Sequence, residues 1–343
     1  MGTGRRRRSP AWSDYSHEVM CPNRAFAGVF SVLLVFCGNA QAQERLYPSR
    51  AIRLIVPFAP GGTTDILGRR IAEALGKRLG QPMVVENKSG AGGALGSLEV
   101  ATAAPDGYTL GMATFSTHIV IPACSRHVRY DPIKDFSAIG LVAETPVVLV
   151  GRTPLASEVS TFHGLVASRG EYSYGTPGNC SFGHLLLERI RQTSSVRFTH
   201  VPYRGSALMA ADLVGGNLDF VSDTLTVLGP ALSSGKVHPL AVTGPRRIDS
   251  LREVPTFSEL GYPDLSMTLW YGLVAPAGLP STVANVLERE LGAVVSDAAF
   301  QSRLESEGIF LSRERGAEAF KSFISRRFPQ ERAFMRSRGM TSD

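Results

Sequence analysis

The sequence has little of what catalysis, nucleotide chemistry or membrane insertion would need. It holds four cysteines in 343 residues. No CxxC pair or Cys/His cluster groups them, which excludes the common zinc patterns. No glycine run leads into Gly-Lys-Ser or Gly-Lys-Thr, so there is no phosphate-cradling P-loop. Repeats and low-complexity tracts are absent. With 43% hydrophobic and 19% charged residues the chain reads as globular, not disordered. The apolar run at 25–37 is too short for a comfortable bilayer crossing, which takes about 20 residues. No basic stripe interleaved with aromatics is visible, so nucleic acid is not expected as a partner. Neither a metal nor any other cofactor is expected.

What is present at the N-terminus reads as targeting. A basic flank ending in Asn23 and Arg24 precedes the apolar run, and Ala40, Gln41 and Ala42 follow it. This is the order of a secretory signal peptide, with cleavage expected after Ala42 and a periplasmic mature chain. Met20 stands just before this unit and is the expected start, residues 1–19 being an upstream extension. The four arginines at 5–8 are not followed by a twin-arginine signal, and Phe36 is bulky for a lipoprotein box. Removing residues 1–42 takes five of the 36 basic and two of the 30 acidic side chains and lowers the formal charge from +6 to +3. The basicity is therefore partly a targeting artefact. Cys21 and Cys37 leave with the signal. Cys124 and Cys180 fall in what read as different lobes, where a bridge would clamp the lobes together. They are expected as two free, buried thiols.

Strands and helices then alternate. A short apolar strand at 52–57 runs into Pro57 and a Gly-Gly pair that cannot continue it. Thr63 or Thr64 can cap the helix that follows, with Leu67, Ile71, Leu75 and Leu79 on one face. A bare-backbone loop ending at a helix N-terminus is a recipe for an anion or carboxylate site. Strands at 83–86 and 108–113 and a helix at 94–103 complete βαβαβ units, which predict a parallel sheet with helices on both faces. Residues 114–139 read as looser. The pattern restarts with strands at 146–150, 172–175, 198–203, 218–222 and 239–243, and helices at 184–191, 206–213 and 225–233. A strand at 268–274 and helices from 281 and over 317–336 close the chain. Two α/β lobes, each opening with a strand–loop–helix anion site, point to a cleft that holds a ligand between them.

Several motifs have plainer readings than their first impression. The glycines at 90–96 follow the second strand with G-x-G-x-x-x-G spacing, which fits tight helix–sheet packing better than a dinucleotide. Ser181 lies three residues before His184 without a G-x-S-x-G elbow or a placed acid. A helix N-terminus that accepts a carboxylate fits this stretch better than a hydrolase, with His184 structural. Asp223 could accept a hydrogen bond from a ligand amine or hydroxyl, or serve a turn or salt bridge. Asp219 fits the structural role, as does Arg204 beside Tyr203.

These blocks together resemble a known family. VPFAPGGTTD at 56–65, VEN at 85–87 with GAGG at 90–93, PDGYTL at 105–110 and YGT at 174–176 are similar to the receptors of tripartite tricarboxylate transporters, the Bug-type solute-binding proteins. So are HVPY at 200–203, VPT at 254–256, ELG at 259–261, WYG at 270–272 and APAG at 275–278. The resemblance covers essentially the whole mature chain. It implies a type II periplasmic binding fold with two doubly wound α/β lobes and a hinged cleft. Lobe one would be residues 43–145 plus 269–343 and lobe two 146–268, with crossings near Thr145 and Leu269. It implies a non-catalytic extracytoplasmic receptor that captures a small carboxylate, an organic acid or amino acid, and delivers it to cognate membrane transporter subunits. A monomer is expected. The implied ligand contacts are Phe58, Ala59, Pro60, Gly61, Gly62, Thr63, Thr64 and Asp65 on one side. Gly175, Thr176, Gly178 and Ser181 stand opposite, with Thr117 and Asp223 added. Departures are Cys180 where the family usually has glycine, Arg204 for a usual lysine, and an idiosyncratic 122–129. The alternatives are a sensor subunit signalling to a membrane kinase, or a hydrolase using Ser181 and His184.

Overall fold

The computed structural model describes residues 47–157, 159–312, 315–337 and 339–340. The signal peptide, its cleavage after Ala42 and the Met20 start lie outside the described residues. In chain order the elements are β1 (Ile52–Val56), α1 (Thr63–Leu79), β2 (Met83–Asn87), α2 (Ala94–Ala101), β3 (Thr109–Thr114), α3 (Ile121–Cys124) and β4 (Phe136–Thr145). Next come β5 (Val147–Arg152), α4 (Phe162–Ala167), β6 (Glu171–Thr176), α5 (Phe182–Thr193), β7 (Arg197–Pro202), α6 (Ser206–Val214), β8 (Phe220–Thr224), α7 (Leu225–Ser233) and β9 (Val237–Val242). The chain finishes with β10 (Leu269–Pro276), α8 (Ser281–Val295), α9 (Ala298–Ser306), β11 (Phe310–Leu311) and α10 (Ala317–Ser337).

Two sheets result, ordered β11-β4-β10-β3-β1-β2 and β7-β6-β8-β5-β9. The chain passes from the first to the second between Thr145 and Val147, and Leu269 begins its return. The expected parallel pairing holds where βαβ crossovers make the connection: β1 with β2 and β3, and β6 with β7 and β8. It fails for β10 and β5. β10 is antiparallel to β3 and β4, and β5 is antiparallel to β8 and β9. Both strands enter their sheet from the other sheet, so no right-handed crossover dictates their direction.

The region read as loose, 114–139, is ordered instead. It contains a π-helical turn at Ser116–Val120, the short α3 and the start of the ten-residue β4. Small residues hid β4. Gly140 lets α8 come close, since a Cβ there would stand 3.0 Å from Leu291 Cδ2 of that helix. α9 was also missed, being short and mostly polar.

Helix α1 shows why the first lobe holds. Leu67, Ile71 and Leu75 recur on one face and are fully buried, each stabilising by about 1.5–3 kcal/mol relative to exposure. Lys77 and Arg78 occupy the last turn and Gly80 ends the helix at φ 67°, as a left-handed C-cap requires. One aromatic cluster joins the two sheets. Phe115 packs edge-on against Phe182 at 5.4 Å and Trp270 at 6.3 Å, and Trp270 against Phe320 at 5.4 Å. α10 adds a partly buried ion pair, Arg189 to Glu331 at 2.9 Å, which ties it to α5.

Candidate ligand-binding site

The β1–α1 loop is built by its own lobe. β1 ends at Val56, and Pro57 to Gly62 carry the backbone to the N-terminus of α1. Gly61 sits at φ 88°, where a side chain would be strained. Gly62 caps α1 without a side-chain hydrogen bond, and its carbonyl accepts the Asp65 and Ile66 N–H groups at 3.0 Å, so the Thr63 and Thr64 N–H groups are the ones left without an intrahelical acceptor. Asp65 does not fill that role. It turns back: Gly61 N–H donates to its Oδ2 at 3.1 Å and Asn87 Nδ2 to its Oδ1 at 2.9 Å, while Arg69 Nε reaches Oδ2 at 3.2 Å. Burial pushes the Asp65 carboxyl up, but Arg69, Asn87 and the Gly61 N–H outweigh it and hold it below the usual range. Asn87 Nδ2 also donates to Phe58 O at 3.0 Å. Asp65 and Asn87 thus fix the loop's shape from beneath.

The β6–α5 loop repeats the local recipe with different anchors. Thr176 Oγ1 lies 3.1 Å from Gly178 O and 2.6 Å from His200 Nε2. His184 stacks on His200 at 4.2 Å and accepts the Cys180 N–H on Nδ1 at 3.1 Å. Burial, with Arg191 adding, lowers His184 to about 4. Burial, then His184 and Arg191, bring His200 to about 4 as well. Ser181 caps α5, accepting the His184 N–H at 3.3 Å. Hydroxyl and imidazole are therefore each committed to backbone N–H groups, and no hydrogen bond between Ser181 Oγ and the ring is found among the described residues. That is not the nucleophile–base geometry a hydrolase needs.

At the apex of this loop the expectation of two free thiols is overturned. Cys124, at the end of α3, and Cys180 form a disulfide with Cα atoms 6.0 Å apart. The residues stand 56 apart in sequence, and spacing alone does not reveal pairing. The folding of 114–124 into a compact helical segment brings α3 against the loop of the opposite lobe. Cys180 itself lies at φ 54°, a left-handed conformation that suits glycine better than cysteine.

Between the two loops is a cavity of about 60 Å³. Of the sequence candidates, Phe58, Ala59, Gly62, Thr63, Thr64, Ser181 and Asp223 line it. Pro60, Gly61, Asp65, Thr117, Gly175 and Thr176 do not, and act around it. Thr117, for example, spends its hydroxyl within 3.0 Å of the Thr114 N–H and of His118 Nδ1. Gly178 faces a neighbouring open groove of about 1050 Å³. Sequence reasoning missed Thr114, Ser116, Phe182 and Gly183, and also Ser206, Ser222 and Tyr271. Ser206 could have been found, since it follows Gly205 at the start of a helix. Tyr271 lies on a strand and gave no signal.

The first turns of α1, α5 and α6 all reach this cavity, through Thr63 and Thr64, Phe182 and Gly183, and Ser206. Each helix N-terminus carries roughly half a positive charge. Among the described residues that line the cavity there is no Lys, Arg or His. The positive potential is therefore supplied by backbone. The lobes meet around it: Thr63 Oγ1 lies 2.5 Å from Thr224 Oγ1, and the Phe182 N–H donates to Ser116 Oγ at 3.1 Å.

This geometry is shared with known proteins. The receptors of the tripartite tricarboxylate transporter family match over residues 67–340. A UPF0065 protein from the TAR-I ttuE-ttuC′ intergenic region of Agrobacterium vitis is 36% identical over 295 residues, 83% of each chain. The solved structure of the periplasmic binding protein BugD superposes with a TM-score of 0.81 at 31% identity, covering 87% of this chain and 100% of BugD. R. palustris Rpa4515, solved with adipate, gives 0.80 at 30% identity, covering 85% of this chain and 98% of its own. Likeness of sequence and structure over this much of both chains goes beyond a shared fold, and the chain belongs to the receptor family of the tripartite tricarboxylate transporters, whose Bug-type members are periplasmic solute-binding proteins.

Proposed function

We propose that this receptor closes its two lobes over the carboxylate of a small organic acid or amino acid and carries it, as a periplasmic monomer, to its cognate membrane transporter subunits. The observation that carries this reading is the convergence of helix N-termini from opposite lobes on one cavity without a side-chain cation. Oriented N–H groups at such termini bind anions. The adipate held by Rpa4515 supports the ligand class. Phe58, Ala59, Gly62, Thr63, Thr64 and Ser181 act as the contacts, Pro60 and Gly61 shape their loop, and Gly175, Thr176 and Gly178 shape the opposing one. Lobe one comprises residues 43–145 plus 269–343 and lobe two 146–268, turning about the crossings near Thr145 and Leu269. Closure of this kind requires the ligand to bind the closed state better than the open one.

A thermal-shift screen against mono- and dicarboxylates, adipate included, tests the reading. An acid at about 100 times its dissociation constant adds roughly 2.7 kcal/mol of stability. Failure of every acid to raise the melting temperature overturns it. Gly62→Val tests the placement. A Cβ at Gly62 stands 3.9 Å from Ser206 Oγ across the lobes, so the valine methyls fill the gap. Binding is lost while the far-ultraviolet circular dichroism stays the same; unchanged affinity would place the site elsewhere.

A further inference from the structure

One group in the cavity does not suit an anion. Asp223, the penultimate residue of β8, lies on the cavity wall and is 5% exposed. Its Oδ1 accepts the Thr224 N–H at 2.7 Å and the Thr224 hydroxyl at 3.4 Å. Its Oδ2 is buried and makes no hydrogen bond among the described residues, although the Ser206 hydroxyl lies near the carboxyl. A buried carboxylate oxygen without a donor is costly. Asp219, four residues earlier, shows the contrast: Arg152 Nε and the Ser173 N–H and hydroxyl all donate to it, at 2.8–2.9 Å.

Charge balance makes the point sharper. The cavity wall carries backbone positive potential from α1, α5 and α6 in one set of positions and a carboxylate in another. With no Lys, Arg or His among the described lining residues, a purely anionic solute would face the Asp223 carboxylate with no side-chain cation between the two like charges. A solute with both signs satisfies every wall. Building on the carboxylate reading above, we propose that Asp223 is the specificity-determining residue of this site. It accepts a hydrogen bond from a protonated amine through Oδ2, so the receptor selects an amino acid over the same acid without the ammonium.

Two further observations agree. Burial drives the Asp223 carboxyl upward against the Ser206 and Thr224 donors, and a cation at Oδ2 offsets the cost of keeping the buried carboxyl charged. Thr224, the next residue, makes the 2.5 Å hydroxyl contact to Thr63 across the lobes. An ammonium on Asp223 therefore sits beside a closing contact and rewards the closed state.

The test uses matched probes on the mature chain: L-aspartate, succinate and aspartate diamide, then L-glutamate, glutarate and glutamate diamide, by titration calorimetry. The expected result is amino acids bound at least about tenfold more tightly than the diacids. Asp223→Asn, which is isosteric and keeps an acceptor for the Thr224 N–H, abolishes or reverses that preference. Diacids bound as tightly as amino acids by the unaltered protein overturn the inference and leave the carboxylate reading standing. So does a preference that survives Asp223→Asn. Binding of the diamides but not of the acids removes the carboxylate reading and keeps the Asp223 assignment. Binding by no probe overturns both. The unaltered protein's own selectivity decides the matter even if the variant folds poorly.

Discussion

The two ligand loops share a local recipe and differ in what holds them. The β1–α1 loop is braced by Asp65, Asn87 and Arg69 of its own lobe. The β6–α5 loop rests on the His184–His200 stack and is bonded through Cys180 to Cys124 of the other lobe. In the closure proposed above, the first loop would travel with its lobe. The second is held to the opposite lobe at its apex by the disulfide, so opening would pivot around that bond as well as the peptide crossings. A strand–loop–helix motif thus sets what a loop can bind, while its anchors set how it can move.

The comparison breaks most directly at the disulfide. Replacing Cys124 with Ser and Cys180 with Gly removes the tether and gives φ 54° the residue it favours. Closing a loop of 56 residues stabilises a fold by about 2–4 kcal/mol, and left-handed relief returns roughly 1 kcal/mol of it. The expected outcome is a lower urea midpoint and faster ligand dissociation in stopped flow. A dissociation rate equal to that of the oxidised parent, with the thiol state verified by mass, would show that the tether does not limit opening.

The own-lobe brace comes next. Asp65→Ala leaves the Gly61 and Asn87 donors without their acceptor. Loss of such a buried network costs about 2–3 kcal/mol, read from urea unfolding, and ligand affinity falls with it. An Asp65→Ala protein that binds normally would deny that the brace shapes the loop.

The loops also differ in their response to acid. His118 is lowered to about 3 by burial, and His184 and His200 to about 4. Each is neutral in the fold, whereas the unfolded chain takes up protons below about 6.5. Stability from these groups is present above about pH 6.5 and is lost as pH falls toward 4. Asp65, held below its ordinary value, keeps its contribution until pH drops under about 4. Melting temperatures from pH 7.5 to 4.5 should therefore fall, and His200→Gln should flatten the slope. A flat profile in the parent would contradict the neutral histidine pair.

The smallest effect is expected at the lobe contact. Thr63→Val removes the hydroxyl bonded to Thr224 and weakens closure by about 1 kcal/mol, near a fivefold loss of affinity. Calorimetry on the variant measures it, and an unchanged constant would mean that the contact contributes nothing to capture.

The sequence by itself determined the local elements and the kind of site they build. Helix α1 followed from the spacing of Leu67, Ile71 and Leu75, and the β1–α1 loop from Pro57 and the glycines. α7 was read with the bounds it has, Leu225–Ser233. These features depend on neighbours along the chain, so periodicity and capping expose them. Tertiary structure alone decided the rest. β5 and β10 run antiparallel because they cross between sheets. Tyr271 reaches the cavity because distant elements fold onto it. Cys124 meets Cys180 only after 114–124 coils against the other lobe, and Asp223 is set apart from Asp219 by having no Arg152 within reach. Each of these is a matter of approach in space between residues far apart in sequence, which no local pattern encodes.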